Sequence, residues 1–399
     1  MIVMQLDYLE IFNTKNLNPG RGGQYFIFVK LITKCGIVGY GEVYACTVSP
    51  KVMKAVIEDV FGRHMYNEDP SNIEIMFRRV YSSGFSQRPD PTVMGAFSGL
   101  EIACWDIIGK AFNAPIWKLL GGKVRERLRS YTYLYPKPGQ QPDDFYASSA
   151  LSTNAALEAV DAGFTAIKFD PAGPYTIFNG HQPSLDNMAQ SEKFCESIRS
   201  EIGNKADILF GTHGQFTPSG AIRLAKKIEP FDPLWFEEPI PPGSSQNMHV
   251  VAQNTKIPIA TGERLTTKYE FFDILQAGAA SILQPALGRV GGIWEAKKIA
   301  AIAEVFGAQI APHLYAGPIE WAANIQLSIT LPNFLLLETI GIGDGFHDDL
   351  LTSKIIWEEG YVFPPSAPGL GVELNEVLAR KHEYTGNDLH LNMAQTEPM

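Results

Sequence analysis

Paired cysteines, a surplus of positive charge and a long unbroken apolar run are all missing from this chain. Its four cysteines, Cys35, Cys46, Cys104 and Cys195, are scattered with no CxxC spacing. That argues against a disulfide scaffold or a cysteine zinc cluster and fits reduced thiols in a cytoplasmic enzyme. The net charge is −10, so the protein as a whole is not drawn to nucleic acid or to an anionic membrane. No basic segment followed by an apolar one opens the sequence, so no signal peptide is expected. No uninterrupted apolar stretch approaches the ~20 residues that span a bilayer. What is present is a globular composition, with 45% apolar and 19% charged residues over 399 positions, enough to bury a large core.

The chain changes style near residue 125. Before it, apolar alternation over 25–31 and 37–44, around Lys34-Cys35-Gly36, predicts a β-hairpin or meander, and the helical spacing over 92–111 predicts a long helix. A short helical turn follows at 117–120, stopped by Gly121-Gly122. Beyond it, short apolar strands at 128–134, 166–170, 207–211, 234–237, 257–260, 281–284, 309–311 and 334–338 alternate with amphipathic stretches such as 218–228, 290–306 and 317–329. Strands buried on both faces, recurring at the length of a βα unit, predict a parallel barrel rather than an open sheet, and no GxGxxG fingerprint follows the first strand. Residues 139–150 and 173–188 read as loops. The organisation expected is an α+β capping domain over 1–127, a modified TIM-type barrel over 128–340, and a C-terminal segment over 341–399 that returns to the cap.

In a parallel barrel the reacting groups sit where strands give way to loops. Lys168 and Asp170 end strand two, His213 follows strand three, and Glu237 ends strand four. Glu263 and Arg264 follow strand five, Gln284 ends strand six, His313 follows strand seven, and Glu338 ends strand eight. A single carboxylate at such a place is usually a cap or a surface charge, but seven strands of eight ending in ionisable or amide groups point to one mouth. Carboxylates on adjacent strands, Glu237 and Glu263, repel unless a cation sits between them, and hard oxygen ligands suit Mg²⁺; the bland reading is a Glu237–Arg264 salt bridge. His213 and His313 face one another across the mouth as an acid/base pair. Lys168 neutralises a substrate carboxylate, acts as a base, or simply pairs with Asp170.

These residues sit within motifs that resemble the mandelate racemase/muconate lactonising branch of the enolase superfamily, and within it the galactonate-dehydratase-like acid-sugar dehydratases. "GIVGYGEVYA", "GLEIACWDIIGKA" and "LLGGKVRERLRSY" match the cap; "AIKFD", "LWFEEP", "IPIATGERL", "ILQPALGRVGGIWEAKKIAAIAE" and "APHLYAGPIEWAAN" match the barrel; "PGLGVELN" matches the tail. The resemblance implies a (β/α)₇β barrel with an α+β cap, and Mg²⁺-assisted abstraction of a proton next to a carboxylate. It implies metal ligands at Glu237 and Glu263, His313 as base or acid, His213 as the acid that helps hydroxide leave, and Glu338 as a hydrogen-bonding group to the enediolate. Arg21, Arg88, Gln284 and Tyr315 are the expected substrate contacts. The implied substrate is an acid sugar turned over to a 2-keto-3-deoxy acid, by a protein that forms homo-oligomers.

Two positions break the pattern. The family carries a metal-binding carboxylate two residues before the strand-three histidine, where this chain has Gly211, and an aspartate after the strand-six "QP", where it has Ala286. If the chemistry persists, Asp170 or His213 serves the metal and Gln284 orients His313. Otherwise the site catalyses a related racemisation, epimerisation or cycloisomerisation, or binds a sugar acid without turning it over.

Overall fold

The computed structural model describes residues 4–44, 47–137, 139–178, 180–395 and 397. Cys46 lies outside them; Cys35, Cys104 and Cys195 are free thiols. Near the N-terminus, strands β1 (Leu6–Lys15), β2 (Tyr25–Thr33) and β3 (Val38–Val43) form an antiparallel sheet in that order. Gly36, at φ 87°, closes the expected β2–β3 turn. The sheet is followed by helices α1 (Pro50–His64), α2 (Ile73–Tyr81) and α3 (Pro91–Ala111). The β1 strand and the first two helices are elements beyond those expected from the sequence.

The long helix α3 starts where local chemistry dictates. The Asp90 carboxylate accepts from the backbone N–H of Thr92 and of Val93, and Pro91 occupies the first turn. Glycine allows it to lie flat on the sheet: a Cβ on Gly41 would stand 1.9 Å from the carbonyl oxygen of Gly99. By length and composition α3 is apolar enough to cross a bilayer, but it is almost wholly buried between sheet and barrel and so is a core helix.

The second domain is of barrel type. Strands β4 (Leu128–Tyr133), β5 (Ala166–Phe169), β6 (Asp207–Phe210), β7 (Trp235–Glu237), β8 (Ile259–Thr261), β9 (Ile282–Leu283) and β10 (Gln309–Ile310) pair in parallel, each with the next. Strand β11 (Leu337–Thr339) pairs back onto β4, and a bridge from Ile310 to Phe334 links its approach to β10. Helices such as Pro218–Ile228, Gly292–Val305 and Pro318–Ser328 connect the strands, close to the expected bounds. Two expected loops contain helix: Pro142–Ala147 forms one, and Leu185 begins Leu185–Ile202, where the Ser184 side chain accepts from the N–H of Asn187.

Buried carboxylates dock the cap on the barrel. Glu101 on α3 accepts from the N–H groups of Ile293 and Trp294, which open the helix Gly292–Val305. Glu42 on β3 accepts from Gly317 and Glu320 at the start of Pro318–Ser328. Helix N-termini expose unpaired N–H groups and a partial positive charge, so an acceptor from another domain satisfies both.

The C-terminal segment divides between the domains. The hairpin of β12 (Ile356–Glu358) and β13 (Tyr361–Phe363) joins the barrel sheet, antiparallel to β4. Residues 382–384 then run along the cap, where Lys15 N–H donates to His382 O and Tyr384 N–H to Asn13 O.

Candidate active site

The polar residues rise from an apolar layer by one strand period. Tyr131, Ala166, Leu209, Trp235, Ala260, Ile282, Ala311 and Leu336 form one buried cluster, with a member from each strand or its immediate flank. Side chains two residues apart on a strand share a face. Two residues further along, in the direction of the loops, stand Tyr133, Lys168, Gly211, Glu237, Gln284, His313 and Glu338. Lys168, Glu237, His313 and Glu338 are therefore the next layer of the same interior, while Asp170, His213 and Glu263 stand on the loops just beyond it.

Above them lies a cavity of about 550 Å³, lined by Lys168, Asp170, His213, Glu263, His313 and Glu338 from the barrel. Tyrosines make up much of the remaining wall: Tyr44 from the cap, then Tyr133, Tyr135, Tyr146, Tyr175 and Tyr315. Gly20 of the cap and Leu391 of the C-terminal tail complete the rim. The tail is held there by His390, whose ring lies 3.0 Å from the carbonyl oxygen of Tyr315, and by Ala394, which pairs with the backbone of Tyr175 and Ile177.

The charges form two systems. Lys168 Nζ lies 2.5 Å from Glu237 Oε1 and 3.5 Å from Glu338 Oε1. The other Glu237 oxygen accepts from Trp235 Nε1 at 3.0 Å and from Gln284 Nε2 at 2.8 Å. Burial works against the Lys168 ammonium, but Glu237, Glu338 and Glu263 outweigh it and hold the lysine charged. His313 Nδ1 stands 3.3 Å from Glu263 and 3.2 Å from Glu338. Burial disfavours its cation too, yet Glu263 and then Glu338 raise its pKa to about 9. Across the mouth, His213 Nδ1 meets Asp170 Oδ2 at 2.7 Å. Burial again opposes the cation there, and the Asp170 hydrogen bond and charge raise the histidine above its ordinary value. Tyr175 lies against the His213 ring, centroids 4.5 Å apart.

Several expectations are corrected by these contacts. Arg264 pairs with Glu238 at 2.7 Å, not with Glu237. Lys168 takes Glu237 rather than Asp170, which belongs to His213. Gln284 is fully buried and serves Glu237, so it neither orients His313 nor lines the cavity. Arg88 is exposed on the cap and absent from the lining, because its segment does not reach the mouth. Arg21 stands behind the wall, its guanidinium 5.2 Å from the Tyr135 ring centroid, while the neighbouring Gly20 reaches the rim. Tyr315 does line the cavity. The tyrosine wall was overlooked, although Tyr131, Tyr133 and Tyr135 alternate in the sequence as one face of a strand would.

Fold and site together define an enzyme, and this chain belongs to the mandelate racemase/muconate lactonising branch of the enolase superfamily. Residues 19–121 match the mandelate racemase/muconate lactonizing enzyme N-terminal domain, and residues 152–378 the enolase C-terminal domain-like family. Within the branch it is galactonate-dehydratase-like. It is 34% identical to a D-galactonate dehydratase of Ralstonia pickettii over 88% of this chain and 90% of that protein. It is 33% identical to a D-gluconate/D-galactonate dehydratase of Picrophilus torridus, over 90% of this chain and 89% of that one. A mandelate racemase/muconate lactonizing enzyme from Sulfitobacter sp. superimposes with a TM-score of 0.97 at 59% identity, covering 99% of this chain and 100% of that one.

Enzymes of this superfamily typically use Mg²⁺, but the side chains here do not fit the ion. The expected ligands Glu237, Glu263 and Asp170 are not gathered around one point. Both oxygens of Glu237 are occupied, one by an ammonium and the other by two N–H donors. Asp170 Oδ1 and Glu263 Oε2 lack hydrogen-bond partners, yet among the described residues no three His, Cys, Asp or Glu side chains are arranged to hold a metal. The strand-three position that would supply another carboxylate is Gly211.

Proposed function

We propose that this protein is an acid-sugar dehydratase, a lyase that removes the proton α to a carboxylate and eliminates water to leave a 2-keto-3-deoxy acid. The observation that carries this reading is the pair of carboxylate-held imidazoles, His213 and His313, lining one cavity from the third and seventh of its parallel strands. Such an elimination needs one group to take a proton from carbon and another to give one to the departing hydroxide.

His213 suits the first task. Asp170 holds its Nδ1, so Nε2 is the nitrogen left for substrate. His313 suits the second, because Glu263 and Glu338 keep it a cation up to about pH 9. This exchanges the roles that the family pattern implies: with Ala286 in place of the strand-six aspartate, two glutamates hold His313 instead. The substrate carboxylate is drawn to the Lys168 and His313 charges. Hydroxyls of Tyr133, Tyr135, Tyr146, Tyr175 and Tyr315 supply donors and acceptors for a polyol chain. The dehydratases named among the relatives support the same reaction class.

The test is to incubate the protein in D₂O with a panel of aldonic, aldaric and uronic acids, following both 2-keto acid formation and deuterium exchange at the α-carbon. Turnover of at least one acid is expected. His213→Asn abolishes exchange and product alike, whereas His313→Gln keeps some exchange and loses elimination. If the wild type neither exchanges nor turns over any member, the cavity is a binding pocket and the proposal fails.

A further inference from the structure

We infer that the Lys168 ammonium is the resident cation of this site, paired with Glu237, a glutamate that the family pattern gives to a divalent metal, and that Gly211 is the residue that makes room for it. Three observations converge on this. The first is occupancy. Lys168 Nζ sits between Glu237 and Glu338, at 2.5 and 3.5 Å, with all three side chains buried. Buried carboxylates need a compensating charge, and here a side chain supplies it.

The second is steric. A Cβ on Gly211 would stand 3.3 Å from Lys168 Cε, 3.2 Å from Phe169 O and 3.7 Å from Asp170 Cβ. A carboxylate-bearing side chain at 211 would press on the lysine stem from the adjacent strand, since β5 and β6 pair directly. Lysine in this conformation and an acidic residue at 211 therefore crowd one another. The missing carboxylate and the inserted ammonium are a single exchange.

The third is the second departure. Ala286 is fully buried and brings no acid to His313. The carboxylates that face His313 Nδ1 are Glu263 and Glu338. A Glu263 committed to a divalent ion would not be free to pair with the imidazole. Relieved of that duty, it takes the place of the lost aspartate. Each departure from the family pattern thus has its compensation in the other.

Lys168 is on this reading a fixed, monovalent electrostatic group. It neutralises Glu237 and offers a positive charge to an anionic substrate atom without exchangeable ligands or a requirement for added metal.

The experiment reads metal binding without turnover, so its outcome is independent of which substrate the cavity takes. The wild-type protein is titrated with Mn²⁺ and the free aqua ion followed by EPR, alongside thermal unfolding in excess EDTA and in millimolar Mg²⁺. The expected result is no stoichiometric Mn²⁺ binding and the same Tm in both media. Lys168→Met is expected to lower Tm in EDTA and to regain part of it with Mg²⁺. Lys168→Met/Gly211→Asp is expected to bind Mn²⁺ stoichiometrically. Stoichiometric Mn²⁺ binding by the wild type that Glu263→Gln removes would overturn the inference, even if neither lysine variant folds.

Discussion

Gly211 and Lys168 are packed closely: a Cβ on the glycine would lie 3.3 Å from the lysine's Cε, and the backbone oxygen of Phe169, 3.2 Å away, leaves little room on the other side. The lysine stem can shift by a few tenths of an ångström, but the strand carbonyl cannot. Gly211→Ala is therefore expected to destabilise the protein by ~1 kcal/mol and Gly211→Asp by ~1–3 kcal/mol, the range for overpacking a filled interior. Urea unfolding of both variants measures this, and equal stability of all three proteins would show that the space is open.

The His313 contact has a pH signature. Its pKa is raised from 6.5 to about 9 because Glu263 and Glu338 together exceed the opposing effect of burial. The folded state holds the proton more tightly than the unfolded chain. The resulting stability is fully present below pH 6.5 and is lost as pH rises through about 9. It amounts to ~3 kcal/mol at most. The lowering of the Glu263 pKa, which burial opposes and His313, His213, Lys168 and Arg264 drive, contains the same His313 contact, which is not counted twice. Urea midpoints measured across this window should fall in the wild type and stay flatter in His313→Gln.

Asp170 orients His213 through a 2.7 Å contact to Nδ1. Asp170→Asn keeps the shape but removes the charge that opposes burial, so the imidazole pKa falls. The expected effect is a drop in kcat of ~10²-fold or more, with KM little changed, and a displacement of the acid limb of the pH–rate profile to lower pH. A loss of activity with an unmoved acid limb would assign Asp170 a structural role only.

Glu101 bridges the domains. Its carboxylate accepts from Ile293 N–H at 2.7 Å, Trp294 N–H at 2.9 Å and Trp105 Nε1 at 2.9 Å. Glu101→Ala leaves these buried donors without their acceptor, which should cost ~2–4 kcal/mol in urea unfolding. Because Tyr44 and Gly20 of the cap line the cavity, a loosened cap is expected to raise KM before it lowers kcat.

Much of the site was legible because a parallel barrel concentrates its reacting groups at strand ends. The ends read from apolar runs were accurate to within a few residues, as with the strand at Asp207–Phe210 and the helix at Pro218–Ile228. Arg88 and Gln284 were misjudged for opposite reasons. One lies on a cap segment whose reach depends on domain docking, and the other points into the interior where a neighbouring strand claims it. The contribution of His390 and Leu391 could not be read locally, since the tail follows the cap before it meets the loop at Tyr175.

The sequence by itself determined the family, through its motifs, and the barrel class and the strand ends that carry Lys168, His213, Glu237, Glu263, His313 and Glu338, because short apolar runs mark where each strand gives way to its loop. It also marked Gly211 and Ala286 as departures. Only the tertiary structure decided the partners: Lys168 with Glu237, Asp170 with His213, Arg264 with Glu238, and His313 between Glu263 and Glu338. Such pairings depend on inter-strand register and on how far each side chain reaches across the interior, quantities fixed by how the strands pair and not by any local pattern.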